Sequence, residues 1–444
     1  MHSINRPLAA PPTRRFPLAS VLPMSTQIFD SIDAFLLAQQ PAQTRFLAEL
    51  VRQPSDNPPG DCAPHAELAE RLLAGLALPV ERYTPDIERV REQGMASIIN
   101  LIVRHAFSED GPVVALNAHG DVVPPGQGWT REPYGAQIEQ DPRHGAVMYG
   151  RGVAVSKSDF ATYTWALLAL REAQRAGARL RGAIELHLTY DEEAGGLNGP
   201  AFLLDSGASR PDLAISAGFA YHVTTAHNGC LHLEVSVHGR QAHAAMPHTG
   251  VDALQAANAI MQALYVYRRG LGEAASAVPG IGSPNMTIGL IRGGINTNVV
   301  PDLVTFRLDR RLIPEESGPQ AEAELCAVIA EAARACAQGI EVRTRRLLLT
   351  EPLVELPGAA ALIEPLRRHA EAVFGVDVPV QGVPLYTDAR HYTQRGIPTV
   401  LYGAGPRTLM EARGHNTDEN LRLNDLYGAT RVVAHTLADI LRAD

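Results

Sequence analysis

The chain has almost no lysine. Of its 39 lysine and arginine residues, only Lys157 is a lysine. A compact ammonium on a flexible stem is kept at one position where arginine serves everywhere else, and the two cations are not interchangeable. Positive charge is short overall: 48 Asp and Glu give a net charge of -9. There is no basic run interleaved with aromatics, so nucleic acid is excluded as a partner class. Cysteine is sparse too. Cys62, Cys230, Cys326 and Cys336 are scattered without CxxC spacing, which argues against a disulfide scaffold or thiolate zinc site and fits a cytoplasmic setting. No apolar run reaches the roughly 18 residues a spanning helix needs, so no membrane partner is expected.

Residues 1–23 are Pro-rich, carry Arg14 and Arg15, and hold only a short apolar patch. That is a poor secretory signal, and a cleaner helical start follows Met24. Residues 1–26 are therefore expected to form a disordered N-terminal extension.

What is present suits a globular protein of two domains: 444 residues, 45% hydrophobic and 20% charged. Strand patterns at Ser97–Val103, Val113–Asn117 and Ala183–Thr189 alternate with a helical pattern at Ala161–Ala176. This order predicts an α/β fold with a mostly parallel sheet and helices on both faces. The pattern then changes. Leu231–Gly239 alternates like an edge strand and is followed by an amphipathic helix, Val251–Arg268. Strands at Met286–Ile291 and Leu303–Leu312, a helix at Ala321–Ala337 and a strand at Ile340–Leu348 complete a βαββαβ, ferredoxin-like order. The first pattern returns with Ala359–Phe374, Thr399–Tyr402 and Tyr427–Arg442. The expectation is a split catalytic domain, residues 27–228 and 350–444, interrupted by an inserted domain at 229–349.

Chemistry-bearing residues gather at strand ends. His119 follows the strand Val113–Asn117, and Asp121 stands two residues on, as a metal-ligand histidine with an orienting carboxylate requires. Asp191-Glu192-Glu193 follows Ala183–Thr189 in the same way, and adjacent acids can divide the roles of general base and metal ligand. His243 follows the first strand of the insert, and His415 sits in a polar loop before the last helix.

Taken in order, these residues bring out a resemblance. From about residue 27 to the end, the chain is similar to the dinuclear zinc hydrolase family of aminoacylase, acetylornithine deacetylase, succinyl-diaminopimelate desuccinylase and carboxypeptidase G. The matching segments are His119-Gly120-Asp121-Val122-Val123-Pro124 with Trp129 and Pro133, Tyr149-Gly150-Arg151-Gly152, Asp191-Glu192-Glu193 and Gly239…His243…Pro247. Asn298-Val299-Val300-Pro301, Asp309-Arg310-Arg311, Thr387-Asp388-Ala389, Gly396-Ile397-Pro398 and His415 continue the match. The resemblance implies His119 on one zinc and Glu193 with His415 on the other, an aspartate bridging the two, and a further carboxylate on the His119 metal. It implies Glu192 as general base and Asp121 as the orienter of His119. His243 would reach the partner subunit's site as oxyanion donor, and Asn298 and Arg311 would hold the substrate carboxylate. The insert would pair two subunits into a homodimer.

The chain departs from this pattern at two ligands. The bridging aspartate is expected two residues before Lys157, where Val155 stands. The other carboxylate is expected near Ala217 or Gly218, and no Asp or Glu occurs between Leu213 and Leu233. Two divalent ions about 3.5–4 Å apart need anionic ligands to offset their repulsion. A full dinuclear zinc centre is therefore not expected. One divalent metal, zinc or manganese, on Glu193 and His415 with a substitute such as His222, His227 or Asp388 is one alternative. A metal-free site in which Lys157 supplies positive charge to the chemistry is the second. A non-catalytic binding protein is the third. Lys157 also has a purely structural reading, as a hydrogen-bond donor. The expected activity is hydrolysis of an amide-type C–N bond in a small carboxylate-bearing substrate, an N-acyl amino acid or dipeptide.

Overall fold

The structure is a computed structural model that describes residues 26–443. The expected extension at 1–26 lies outside the described residues, save Thr26, which opens the helix Thr26–Arg52.

An eight-stranded sheet forms the larger layer, and Val113–His119 lies in its interior. That strand pairs in parallel with Ala183–Thr189 on one side and Leu213–Ser216 on the other. All three are buried nearly throughout, as expected of strands covered on both faces. Thr399–Leu401 continues the parallel run, while Asn100–Ala106 joins the other side antiparallel. Helix Lys157–Arg175 packs against the sheet and against the helices Thr26–Arg52 and Leu423–Leu441. Its Trp165 is 1% exposed and meets Phe46 edge-on at 5.2 Å. The helix begins four residues before the expected Ala161, so its buried first turn carries Lys157 and Asp159.

A second hydrophobic cluster, separate from the first, lies under a four-stranded antiparallel sheet. Its order is Asn285–Gly293, Leu303–Leu312, Gly229–His238, Glu341–Thr350. The helices Ala253–Leu271 and Gly318–Arg334 cover one face, giving the βαββαβ order. Gly229–His238 is an interior strand, paired on both sides, and not an edge strand. Its alternation records one covered face and one open face, which says nothing about edge position. Two small sheets escaped the sequence pattern. One comprises Gln137–Asp141, Gly145–Tyr149 and Asn420–Arg422. The other pairs Ala242–His243 with Val299–Val300. Among the described residues no helix is long and apolar enough to cross a membrane.

Candidate active site

The parallel strands end on a cavity of about 380 Å³, the place where open α/β sheets put ligands. Among its lining residues are His119, Val155, Asp159, Glu192, Glu193, Ala217, Arg311, Asp388 and His415. His119 Nδ1 lies 3.0 Å from the Asp121 carbonyl oxygen and 3.3 Å from its Oδ1, which leaves Nε2 for the cavity. Burial opposes protonation of this ring. The Asp121 hydrogen bond and the Glu192 and Glu193 charges outweigh it and hold His119 well above the usual histidine range.

Asp121, fully buried, also fixes the acidic turn. Its carboxylate accepts the backbone N–H of Glu192 at 3.2 Å and of Glu193 at 3.1 Å, and the side-chain amide of Asn57 at 3.0 Å. The turn exists because Ala183–Thr189 ends here and Gly195, at φ 105, lets the chain reverse. Burial, aided by Glu193 and Asp121, pushes the Glu192 carboxyl up to about 7, a value suited to a proton carrier near neutral pH. Glu193 Oε1 is 3.1 Å from His415 Nε2, and that contact raises His415. Burial likewise raises Asp388 well above its ordinary range. Arg390, fully buried behind the floor, donates to the Thr387 and Gly195 carbonyls at 2.6 and 2.5 Å.

The turn at 151–156 is held by buried polar groups. Glu419 pairs with Arg151 at 2.7 Å, both side chains 1% exposed. It also accepts the backbone N–H groups of Ala154 and Val155 at 3.0 and 3.2 Å. Val155 faces the cavity with an apolar side chain. Ala217 and Gly218 face it from the end of Leu213–Ser216. A Cβ at Gly218 would stand 2.6 Å from the Tyr402 backbone nitrogen, so Ala217 is the position where a ligand acid would fit.

Lys157 is not a cavity residue. Its Nζ donates to the Gln53 carbonyl at 2.9 Å, and its stem passes 3.2 Å from the Cβ position of Gly152. The ammonium is drawn under the turn by that carbonyl, away from the cavity lining. Asn298 is exposed and lies outside the lining, while Arg311 lies in it. Asn298 adjoins His243, also exposed, on the small Ala242–His243/Val299–Val300 sheet.

At the two positions where the resemblance places further carboxylates, Val155 and Ala217 offer no side-chain donor to a metal. Among the described residues, His119, Glu193 and His415 do not form a group of three ligand atoms within 4.8 Å; Cys230, His232 and Asp309 do. In that group Asp309 is already occupied, holding Arg311 Nε and Nη2 at 2.9 and 3.1 Å and His232 Nε2 at 2.8 Å. Its evident effect is to anchor Arg311 at the cavity rim. Of the substitute ligands, His222 is stacked on Phe219 and His227 is bonded to the backbone of Asn228 and Thr387. Only Asp388 reaches the lining. Sequence reasoning passed over Asp159, although it stands in the Lys157 segment four residues after Val155.

The profile of peptidase family M20/M25/M40 matches residues 115–439. The chain belongs to this family. A succinyl-diaminopimelate desuccinylase of Methylorubrum populi is 28% identical over 412 residues, covering 87% of this chain and 95% of that one. An M20 family metallo-carboxypeptidase from Sulfolobus solfataricus shares the fold at TM-score 0.69 and 16% identity, covering 89% of this chain and 98% of its own. The Bacillus subtilis YXEP protein, described as a dinuclear metal binding peptidase from the M20 family, follows at TM-score 0.62 and 16% identity, with 91% and 99% covered. This M20 chain is therefore a hydrolase of the peptidase and deacylase kind, with an α/β fold and a large, mostly parallel sheet.

Proposed function

We propose that this M20 chain hydrolyses an amide-type C–N bond in a small carboxylate-bearing substrate, an N-acyl amino acid or dipeptide, at a metal-depleted centre. The observation that carries the reading is Glu192, a buried carboxyl pushed up to about 7 beside an intact Asp121–His119 pair in one cavity with Arg311. Arg311 binds the substrate carboxylate through donors left free by Asp309. Glu192 takes a proton from the attacking water and returns it to the leaving nitrogen. His119, kept protonated by Asp121 and its acidic neighbours, turns Nε2 to the oxygen on which negative charge develops. Glu193 and His415 have room for one divalent ion, zinc or manganese, and no step above depends on it.

The exposed pair His243 and Asn298 travel together on one small sheet, which supports their acting in trans within a homodimer joined through residues 229–349. In this reading residues 27–228 and 350–444 form the catalytic domain, and the protein works in the cytoplasm. The test is turnover of N-acetyl and N-succinyl amino acids and dipeptides by the purified chain, with and without chelator. Glu192→Gln should lower kcat by about 10²–10⁴. Absence of turnover across the panel, with tight binding of one member, would replace the hydrolase by a binding protein.

A further inference from the structure

Where the two ligand carboxylates are missing, a different carboxylate enters the cavity. Asp159, 1% exposed, comes from the first turn of helix Lys157–Arg175 and joins the same lining as Val155, Ala217 and Gly218. Its niche is shaped for it. Oδ1 accepts the Ala404 N–H at 2.7 Å, and Oδ2 accepts the Gly218 N–H at 3.3 Å. Gly403 leaves room, because a Cβ there would run into both carboxylate oxygens.

Burial pushes the Asp159 carboxyl up to about 7, while the Ala404 and Gly218 amides, the His119 charge and the Thr162 hydroxyl favour its ionised form, and among the described residues no lysine or arginine pairs with it. Glu192 and Glu193 line the same cavity. Asp388 lines it as well, 2% exposed, with an Oδ1 that has no hydrogen-bond donor among the described residues. The cations nearby are spoken for: Arg311 by Asp309, His119 by Asp121, His415 by Glu193, and Arg390 by two carbonyls. Arg311 keeps a spare nitrogen, Nη1, for a ligand at the rim, and His119 keeps Nε2 deeper in the cavity. An arriving group thus meets acceptors at the depth of the cavity and a donor at its rim. Buried acids in this state call for a positive partner.

The geometry points to Asp159 as a substrate-binding residue for a small zwitterion. The ligand's ammonium or amidinium occupies the space of the missing carboxylates against Asp159, and its own carboxylate lies on Arg311. This rests on the cavity being the hydrolytic site proposed above.

The test uses the full chain, treated with chelator, and ligands that have no bond to cleave. Calorimetry would compare ω-amino acids, from glycine to 6-aminohexanoate, with ω-hydroxy acids of the same lengths. At least one amino acid should bind about tenfold or more tightly than its hydroxy counterpart. Asp159→Asn, with circular dichroism unchanged, should reduce that preference to about threefold or less. The wild-type contrast stands by itself if the variant does not fold. Equal affinity for the two series, no binding of either, or a preference that survives in Asp159→Asn overturns the assignment. Zinc binding that Asp159→Asn abolishes also overturns it, since the acid would then serve a metal. Loss of the hydrolase reading with the ammonium preference intact would leave a zwitterion-binding protein, so the two failures are distinguishable.

Discussion

Lys157→Met separates the structural role of the only lysine from a chemical one. Lys157 is fully buried, and burial brings its ammonium down from 10.5 to about 7, against the opposing pull of Asp56, Cys62, Glu419 and Asp121. The unfolded chain keeps this proton up to about 10.5 and the folded chain only to about 7, so between these values the unfolded state binds more protons. Wild-type stability therefore rises with pH across that window. At pH 6, below both values, the difference of 10.5 and about 7 corresponds to roughly 5 kcal/mol spent on holding the buried charge. Methionine fills a similar stem without the charge but leaves the Gln53 carbonyl unpaired, which costs about 1–3 kcal/mol. The variant should be more stable than wild type by about 2–4 kcal/mol at pH 6, and less stable by up to about 2 kcal/mol near pH 10, where the unfolded lysine is still mostly protonated. Urea midpoints at matched ionic strength from pH 6 to 10 would show the two curves crossing. A variant weaker by the same margin at every pH would refute the reasoning. Turnover should stay within about threefold, because the amine lies outside the cavity; a loss of about 10³ or more would return Lys157 to the chemistry.

The remaining predictions concern the turn and the metal. Glu419→Ala strands Arg151, which is 1% exposed, and should cost about 3–5 kcal/mol in chemical denaturation; a loss under about 1 kcal/mol would show the pair to be dispensable. Protein purified with excess zinc and then desalted should hold fewer than two ions per chain by elemental analysis. Two tightly held zincs would contradict the assignment of Val155 and Ala217 as vacated ligand positions.

The fold was largely legible because its strands are short, apolar and bounded by turns. Ala183–Thr189 and Leu303–Leu312 fall where the pattern put them. The small sheets at Gln137–Asp141 and Ala242–His243 were not legible, since their pairing depends on distant partners and their residues are half exposed. At the site, His119, Glu192, Glu193, Arg311 and His415 were legible as residue types in order, and they do share a cavity. What chain order does not reveal is direction. Lys157 and Asp159 are two residues apart on one helix, yet the amine turns to the Gln53 carbonyl and the carboxylate to the cavity. Residues two apart on an α-helix point to opposite faces, and packing decides which face meets the cavity.

The backbone of the turn at 151–156 is held by Glu419, Arg151, Ser156 and Lys157, while the Val155 side chain packs between the core and the cavity. Scaffold and ligand are thus separable parts. None of the backbone hydrogen bonds of the turn depends on the side chain at position 155. Side chains placed at residues 155 and 217 enter the same cavity from a wall whose hydrogen bonds lie elsewhere. The cleft is a socket whose fitting is changed without rebuilding the wall.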